Sequence, residues 1–357
     1  MTSPLTSTVA TIPVGDAAIG PDVEPFVIAE VSGNHNGDLQ RALAIVDAAA
    51  EAGAHAIKLQ TYRADTITID ADGPAFQISG DHALWAGRNL YQLYEQAHTP
   101  WEWHEPIFER IRKHGILPFS SPFDPTAIDL LESLDAPMYK IASLEVVDLP
   151  LIRLVAEKGK PVVLSTGAAD IDEIDAAVRA VRETGNEHLV VLACTSSYPA
   201  SPRESHLRKI PLIADAWDVV VGLSDHTMGL GAAVAAVALG ASVIEKHVTL
   251  QRSDGGVDSD FSLEPAELAA LVSETRVAWE ALGEPKLGPV AGEAESRRLR
   301  RSLFVVEDVR AGDVVSEANV RSIRPAGGLA PDMFGTVVGR RFAADVARGT
   351  ALTWDLI

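Results

Sequence analysis

The chain has one cysteine, Cys194, in 357 residues. No intrachain disulfide can form, and a reducing cytoplasm is the compartment such usage suits. It is also short of cations: 30 Lys and Arg stand against 50 Asp and Glu, a formal net charge of -20. A nucleic-acid partner needs a basic face that releases counterions, so that class is excluded. A small anionic substrate is not excluded, because surface carboxylates are screened over roughly 8 Å at physiological salt and a few lysines inside a pocket dominate locally. Long apolar runs are missing too. No stretch offers about 18 consecutive apolar residues, and Met1 to Asp22 lacks the basic start and apolar run of a signal peptide. The expectation is a soluble, non-exported protein with no membrane partner.

What is present is an ordinary globular composition, 47% hydrophobic and 22% charged, enough to bury a core without staples. Its length suits a barrel of roughly 250 residues with a small appendage. Short apolar runs alternate with amphipathic segments between residues 26 and 282, the pattern of repeated βα units. Eight candidate strands are Phe26 to Val31, His55 to Gln60, Ile116 to Ser121, Met138 to Ile141, Pro161 to Thr166, His188 to Thr195, Val219 to Ser224 and Ser242 to Val248. Helical segments such as Gln40 to Ala52, Asp172 to Glu183 and Leu230 to Leu239 lie between them. Eight units favour a closed (β/α)8 TIM barrel over an open sheet.

The division expected is an N-terminal extension over 1–22, a barrel over 23–282, a Gly-, Pro- and Glu-rich linker over 283–301, and a compact mostly-β module over 302–357. The stretch from Tyr62 to Ala97 is longer than an ordinary connection, as a substrate-facing insertion would be.

Chemistry in a barrel sits at the C-terminal ends of its strands. Here those ends are polar: AEVSGNHNG at 29–37, KLQTY at 58–62, FSSPFD at 119–124, YKIAS at 139–143, LSTG at 164–167, CTSSYP at 194–199, GLSDHT at 222–227 and IEKHVT at 244–249. Lys58 and Lys140 come from otherwise apolar strands, where an unpaired ammonium is expensive to bury, so each needs an anion. Side chains alternate along a strand, so Lys58 and Gln60 share one face, Glu245 and His247 share one, and Lys246 points to the other. The hydroxyls of Ser121, Ser143, Ser165 and Ser224 can ring the same mouth. Together these groups suit a phosphate or carboxylate. The competing reading is that each lysine merely pairs with Glu30 or Glu245 inside the barrel.

His226 and His247 end neighbouring strands, a placement that can bring two imidazoles onto one cation. Two histidines are too few for a closed zinc site; an open, six-coordinate site suits Mn²⁺ or a Mg²⁺-like ion, with imidazole favouring Mn²⁺.

These motifs, in this order, resemble the sialic acid synthase family, and 302–357 resembles the antifreeze-like (SAF, β-clip) domain that follows the barrel there. SGNHNG, TPWEWH at 99–104 and DSDFSLEP at 258–265 are similar to the pseudaminic acid branch. The resemblance implies condensation of phosphoenolpyruvate with an N-acetylated amino sugar, 2,4-diacetamido-2,4,6-trideoxy-altrose for this branch, giving a nine-carbon ulosonic acid and phosphate. By motif, Lys58, Ser121, Lys140, Ser143, Ser165 and Ser224 would bind phosphoenolpyruvate. His226 and His247 would hold the metal, Mn²⁺ with Mg²⁺ or Co²⁺ as alternatives. Glu30 would stand beside the reacting carbons, handling a proton or steadying an oxocarbenium ion, and Gln60, Tyr198 and Asp258 would face the sugar. Ser196 stands where the neuraminate members carry asparagine, so that contact does not transfer. The family's small domain caps the site of a partner subunit, which implies a domain-swapped homodimer in which Arg324, in IRPAGG at 323–328, reaches across. Alternatives are a neuraminate or legionaminate synthase of the same family, a Schiff-base aldolase using Lys58 or Lys140, and a non-catalytic carbohydrate-binding protein.

Overall fold

A computed structural model describes residues 10–78 and 89–357. The chain divides into two compact units, after Gly283. The first is a closed barrel of eight parallel strands: β3 (Phe26–Glu30), β4 (Ala56–Thr61), β5 (Leu117–Pro122), β6 (Tyr139–Ile141), β7 (Val162–Ser165), β8 (Leu189–Cys194), β9 (Val220–Ser224) and β10 (Val243–His247). The ring closes by pairing β10 with β3, Val243 opposite Phe26 through His247 opposite Glu30. Observed strands lie within two residues of those expected from the sequence.

Every barrel strand is buried on both faces, and alternation sorts its residues into two cores. Val27, Ala29, Ile57, Leu59, Tyr139, Leu164, Val191 and Ile244 face outward, against helices such as Leu39–Glu51 and Trp101–Lys113. Phe26, Ile28, Ala56, Phe119, Met138, Val163, Val190, Leu192, Val220 and Val243 fill the interior. Gly222 sits in that interior because nothing larger fits: a Cβ there would meet the Val243 carbonyl oxygen, and Leu192 Cδ2 at 2.6 Å.

The expected N-terminal extension needs correction. Within it, β1 (Ile12–Val14) and β2 (Ala17–Ile19) pair antiparallel around a two-residue Gly15-Asp16 turn, and Ile12, Val14 and Ile19 join the interior core. Gly15 adopts φ +56°, which a tight hairpin turn requires. The hairpin stands against the N-terminal layer of the barrel interior, which would otherwise expose apolar side chains. Residues 1–9 lie outside the described residues, as do 79–88 of the long segment after β4. The rest of that segment forms short helices at Ala64–Ile67 and Leu90–Ala97. Among the described residues no helix is long and apolar enough to cross a membrane.

The second unit, Glu284–Ile357, includes most of the expected linker, where a short helix forms at Ala294–Arg298. Its strands β11 (Ser302–Val305) and β12 (Val320–Ile323) pair antiparallel. Leu303, Val305, Val315, Val320, Phe342 and Leu352 give it its own small core.

Candidate active site

At the C-terminal ends of the strands the interior positions change from apolar to ionisable. On β3 the inward sequence runs Phe26, Ile28, Glu30; on β4 Ala56, Lys58, Gln60; on β10 Val243, Glu245, His247. Of these, Glu30, Lys58, Gln60, Glu245 and His247 line one cavity of about 290 Å³.

Its floor is an ion-pair network. Lys58 Nζ lies 2.8 Å from Glu30 Oε1 and 3.5 Å from Glu245 Oε1, and Lys140 Nζ lies 3.4 Å from the same Glu245 oxygen. Gln60 Nε2 donates to Glu30 Oε1 at 2.7 Å, and Ser224 Oγ donates to Glu245 Oε1 at 3.1 Å. The lysine–carboxylate pairing that competed with ligand binding is therefore present, inside the cavity. Both lysines are almost fully buried, so the pairing is what lets them stay charged. Burial opposes ionisation of Glu30, but His247, Lys58 and Lys140 outweigh it and hold the carboxyl well below the usual range. Burial also pulls Lys58 down, yet Glu245 and Glu30 raise it above an ordinary lysine. Lys140 lacks so close a partner, and burial leaves it lowered.

The imidazoles of His226 and His247 face each other with ring centroids 5.3 Å apart, and Phe261 packs edge-on against both. His226 Nδ1 lies 3.0 Å from the Thr195 carbonyl. That carbonyl can only accept, so the ring proton is assigned to Nδ1 and the Nε2 lone pair is left for a ligand. Burial opposes protonation of His226, but Cys194 and the Thr195 carbonyl raise it above the usual value, so a cation would compete with a proton. Burial lowers His247 against the pull of Glu30 and Asp258. Its Nε2 lies 3.1 Å from Glu30 Oε2 and its Nδ1 3.2 Å from Ser32 Oγ. Among the described residues no three His, Cys, Asp or Glu side chains form a ready-made cation cage. The donor set fits an ion held by two imidazoles and finished by substrate oxygens and water.

Other expected residues are distributed as follows. Ser143, Tyr198 and Asp258 line the cavity, with the Tyr198 ring 4.5 Å from that of His226. Ser121, next to last in β5, and Ser165, last in β7, are not among the lining residues; both hydroxyls are buried without a hydrogen-bond partner, which leaves them free to turn toward a ligand. Lys246 points away from the cavity, pairing with Asp225 at 3.0 Å. Arg324 is exposed in the second unit, just after β12.

A profile of the NeuB family matches residues 45–286, and one of the SAF domain matches 300–357. The chain belongs to the NeuB family. It is 44% identical over 331 residues to the pseudaminic acid synthase of Campylobacter jejuni subsp. jejuni serotype O:23/36 (strain 81-176), covering 93% of this chain and 96% of that protein. The N,N'-diacetyllegionaminic acid synthase of Legionella pneumophila subsp. pneumophila is 36% identical over 343 residues, covering 95% and 96%. A crystal structure of N-acetylneuraminic acid (sialic acid) synthetase from Leptospira borgpetersenii serovar Hardjo-bovis, in complex with citrate, superposes with a TM-score of 0.71 at 34% identity, covering 81% of this chain and 95% of that one.

Within this NeuB-family site, three features escaped the sequence reading. Glu245, which shares a face with His247 in the sequence and is an alternative to Glu30 as a lysine partner, serves both lysines through one oxygen, while its Oε2 has no hydrogen-bond partner among the described residues; nothing in the spacing signals that sharing. Ser32, which orients His247, and Phe261, which walls both imidazoles, come from loops and carried no signal of spacing.

Proposed function

We propose that this protein is a pseudaminic acid synthase, condensing phosphoenolpyruvate with 2,4-diacetamido-2,4,6-trideoxy-altrose to give a nine-carbon ulosonic acid and phosphate. The observation that carries the reading is the convergence of Lys58 and Lys140, from β4 and β6, on one Glu245 oxygen in a cavity that also holds Glu30 and two imidazoles. The identity to pseudaminic acid synthases supports the choice of branch.

The two lysines and two glutamates roughly cancel, so an incoming phosphate and carboxylate must draw the ammonium groups off Glu245. Ser143 and Ser224 lie on the same floor and can donate to the phosphate, as can Ser121 and Ser165 after rotation. A divalent ion, Mn²⁺ by ligand chemistry with Mg²⁺ or Co²⁺ as alternatives, would be held by His226 and His247, add positive charge to the floor and polarise the acceptor aldehyde. The new bond joins C3 of phosphoenolpyruvate to the aldehyde carbon, whose oxygen gains a proton. Glu30, already accepting from Lys58 and Gln60, presents a carboxylate to the positive charge developing at C2. Water adds to C2 and loses one proton, which balances the one taken up by the aldehyde oxygen; the C2–O bond to phosphate then breaks as the new C2 hydroxyl gives its remaining proton to the departing phosphate, leaving the ketone. Gln60, Tyr198 and Asp258 orient the sugar, and holding both substrates in one enclosed mouth can lower the barrier by roughly 7–11 kcal/mol.

The reading includes a homodimer in which Arg324 reaches the partner's sugar site as a rigid donor fork, and a cytoplasmic location, which a single cysteine suits. Phosphate release from phosphoenolpyruvate, measured against a panel of aldose acceptors with and without EDTA, tests the activity. Release confined to the diacetamido-trideoxy sugar and abolished by EDTA supports it. Release only with a legionaminate or neuraminate precursor moves the assignment to that branch, and borohydride trapping of substrate on a lysine would replace it by a Schiff-base aldolase. Light scattering tests the dimer.

A further inference from the structure

The cavity has two unlike halves. Its floor is the ionised network, with the histidines on the β9–β10 side. On the β4–β6 side the wall is largely apolar: Ile67, Leu93, Phe123, Leu144 and the rings of Tyr62 and Tyr94, continued by Val257, with Ser143 and Glu145 as its polar members. Ile67 and Leu93 come from the two short helices after β4, Phe123 follows β5, and Leu144 follows β6. Tyr62, almost fully buried, lines the cavity and braces this wall, its ring meeting those of Tyr94 and Phe123 edge-on at centroid distances of 5.6 and 5.3 Å.

An acceptor whose aldehyde carbon sits over the imidazoles and Glu30 must rest the remainder of its chain on what the cavity still offers. Apolar side chains give no hydrogen bonds to hydroxyl groups, and a hydroxyl buried against them loses water without replacement. A methyl group loses nothing there.

We infer that this wall is a specificity-determining subsite, selecting aldoses that present methyl groups to it, a 6-deoxy carbon and acetamido methyls, over aldoses hydroxylated at the same places. The inference rests on the synthase reading and names the residues that choose its acceptor. An apolar pocket rejects an added hydroxyl only moderately, by on the order of 100-fold, so the discrimination is finite and measurable.

The test compares kcat/KM for a 6-deoxy, bis-acetamido aldose with that for N-acetylmannosamine, which carries hydroxyls at C4 and C6, in the wild type and in Ile67→Asn and Leu93→Gln. The wild type is expected to favour the deoxy sugar by about 100-fold. Each variant is expected to narrow that ratio by about tenfold or more, while KM for phosphoenolpyruvate, set by the untouched floor, stays unchanged. Leu144→Asn, at a side chain 66% exposed, gives a third reading should a helix variant fail to fold. A wild type that uses both sugars equally well, or folded variants with an unchanged ratio, would overturn the role of the wall while leaving the synthase reading in place. No phosphate release with either sugar overturns the synthase reading, and this inference with it.

Discussion

The two ends of the barrel are built on the same eight strands and could hardly differ more. At the N-terminal end the inward side chains are Phe26, Ala56, Met138, Val190, Val220 and Val243, packed against Ile12, Val14 and Ile19 of the hairpin. At the C-terminal end, two to four residues along the same strands, they are Glu30, Lys58, Gln60, Lys140, Ser224, Glu245 and His247. Burying charge is costly, and replacing buried ion pairs by apolar residues of similar volume is often neutral or stabilising. One end shows how this fold is most simply stabilised; the other departs from that solution. The departure marks where stability is spent on binding and chemistry.

Changes at the mouth should therefore cost activity, and changes at the base should cost stability. The largest effect is expected from His247→Ala, which should lower kcat by on the order of 10³-fold, with circular dichroism and the melting temperature close to wild type. Loss of folding instead would make the histidine a structural residue and break the contrast. Ile19→Ala, at the base, should destabilise by about 2–4 kcal/mol in denaturant titration, leaving KM for phosphoenolpyruvate unchanged. Lys140→Ala should raise that KM by roughly 10–100-fold, the worth of a charge-assisted bond of about 1.5–3 kcal/mol. An unchanged KM would mean that the lysine serves Glu245 alone.

A smaller effect tests a region belonging to neither end. His104 is fully buried on the helix Trp101–Lys113, with Nε2 2.8 Å from Thr61 Oγ. Burial lowers its pKa to about 4, below the roughly 6.5 of an unfolded histidine. The folded state thus refuses a proton that the unfolded state accepts. The stability contributed is fully present above about pH 6.5 and is lost as the pH falls toward 4, by up to about 1.4 kcal/mol for each pH unit. His104→Asn should flatten that slope in urea titrations between pH 7 and 4. A slope identical to wild type would show that other groups set it.

The strands were legible because each is a short apolar run ending in polar residues, and because period-2 alternation fixes which residues look inward. Lys58 with Gln60 and Glu245 with His247 could be assigned to one face before any coordinates. That reasoning works within a strand and stops at its end. Ser32 and Phe261 meet His247 through loops, whose paths depend on packing rather than on local pattern. The wall from the segment after β4 was legible only as an unusually long connection. The hairpin at Ile12–Ile19 had a readable signal, Gly15-Asp16 between alternating apolar residues, but its place in the barrel interior is a tertiary fact. Arg324 stays a matter of family resemblance, since its expected partner lies on another subunit.

On the proposed function, Lys58 and Lys140 serve to grip an anionic substrate and not only to neutralise glutamates. A crystal structure with phosphoenolpyruvate and Mn²⁺ tests it most directly. Phosphate and carboxylate oxygens are expected within hydrogen-bond distance of both Lys58 and Lys140 Nζ, with the ion held by His226 and His247. Phosphoenolpyruvate bound elsewhere, with both lysines still on Glu30 and Glu245, would contradict it.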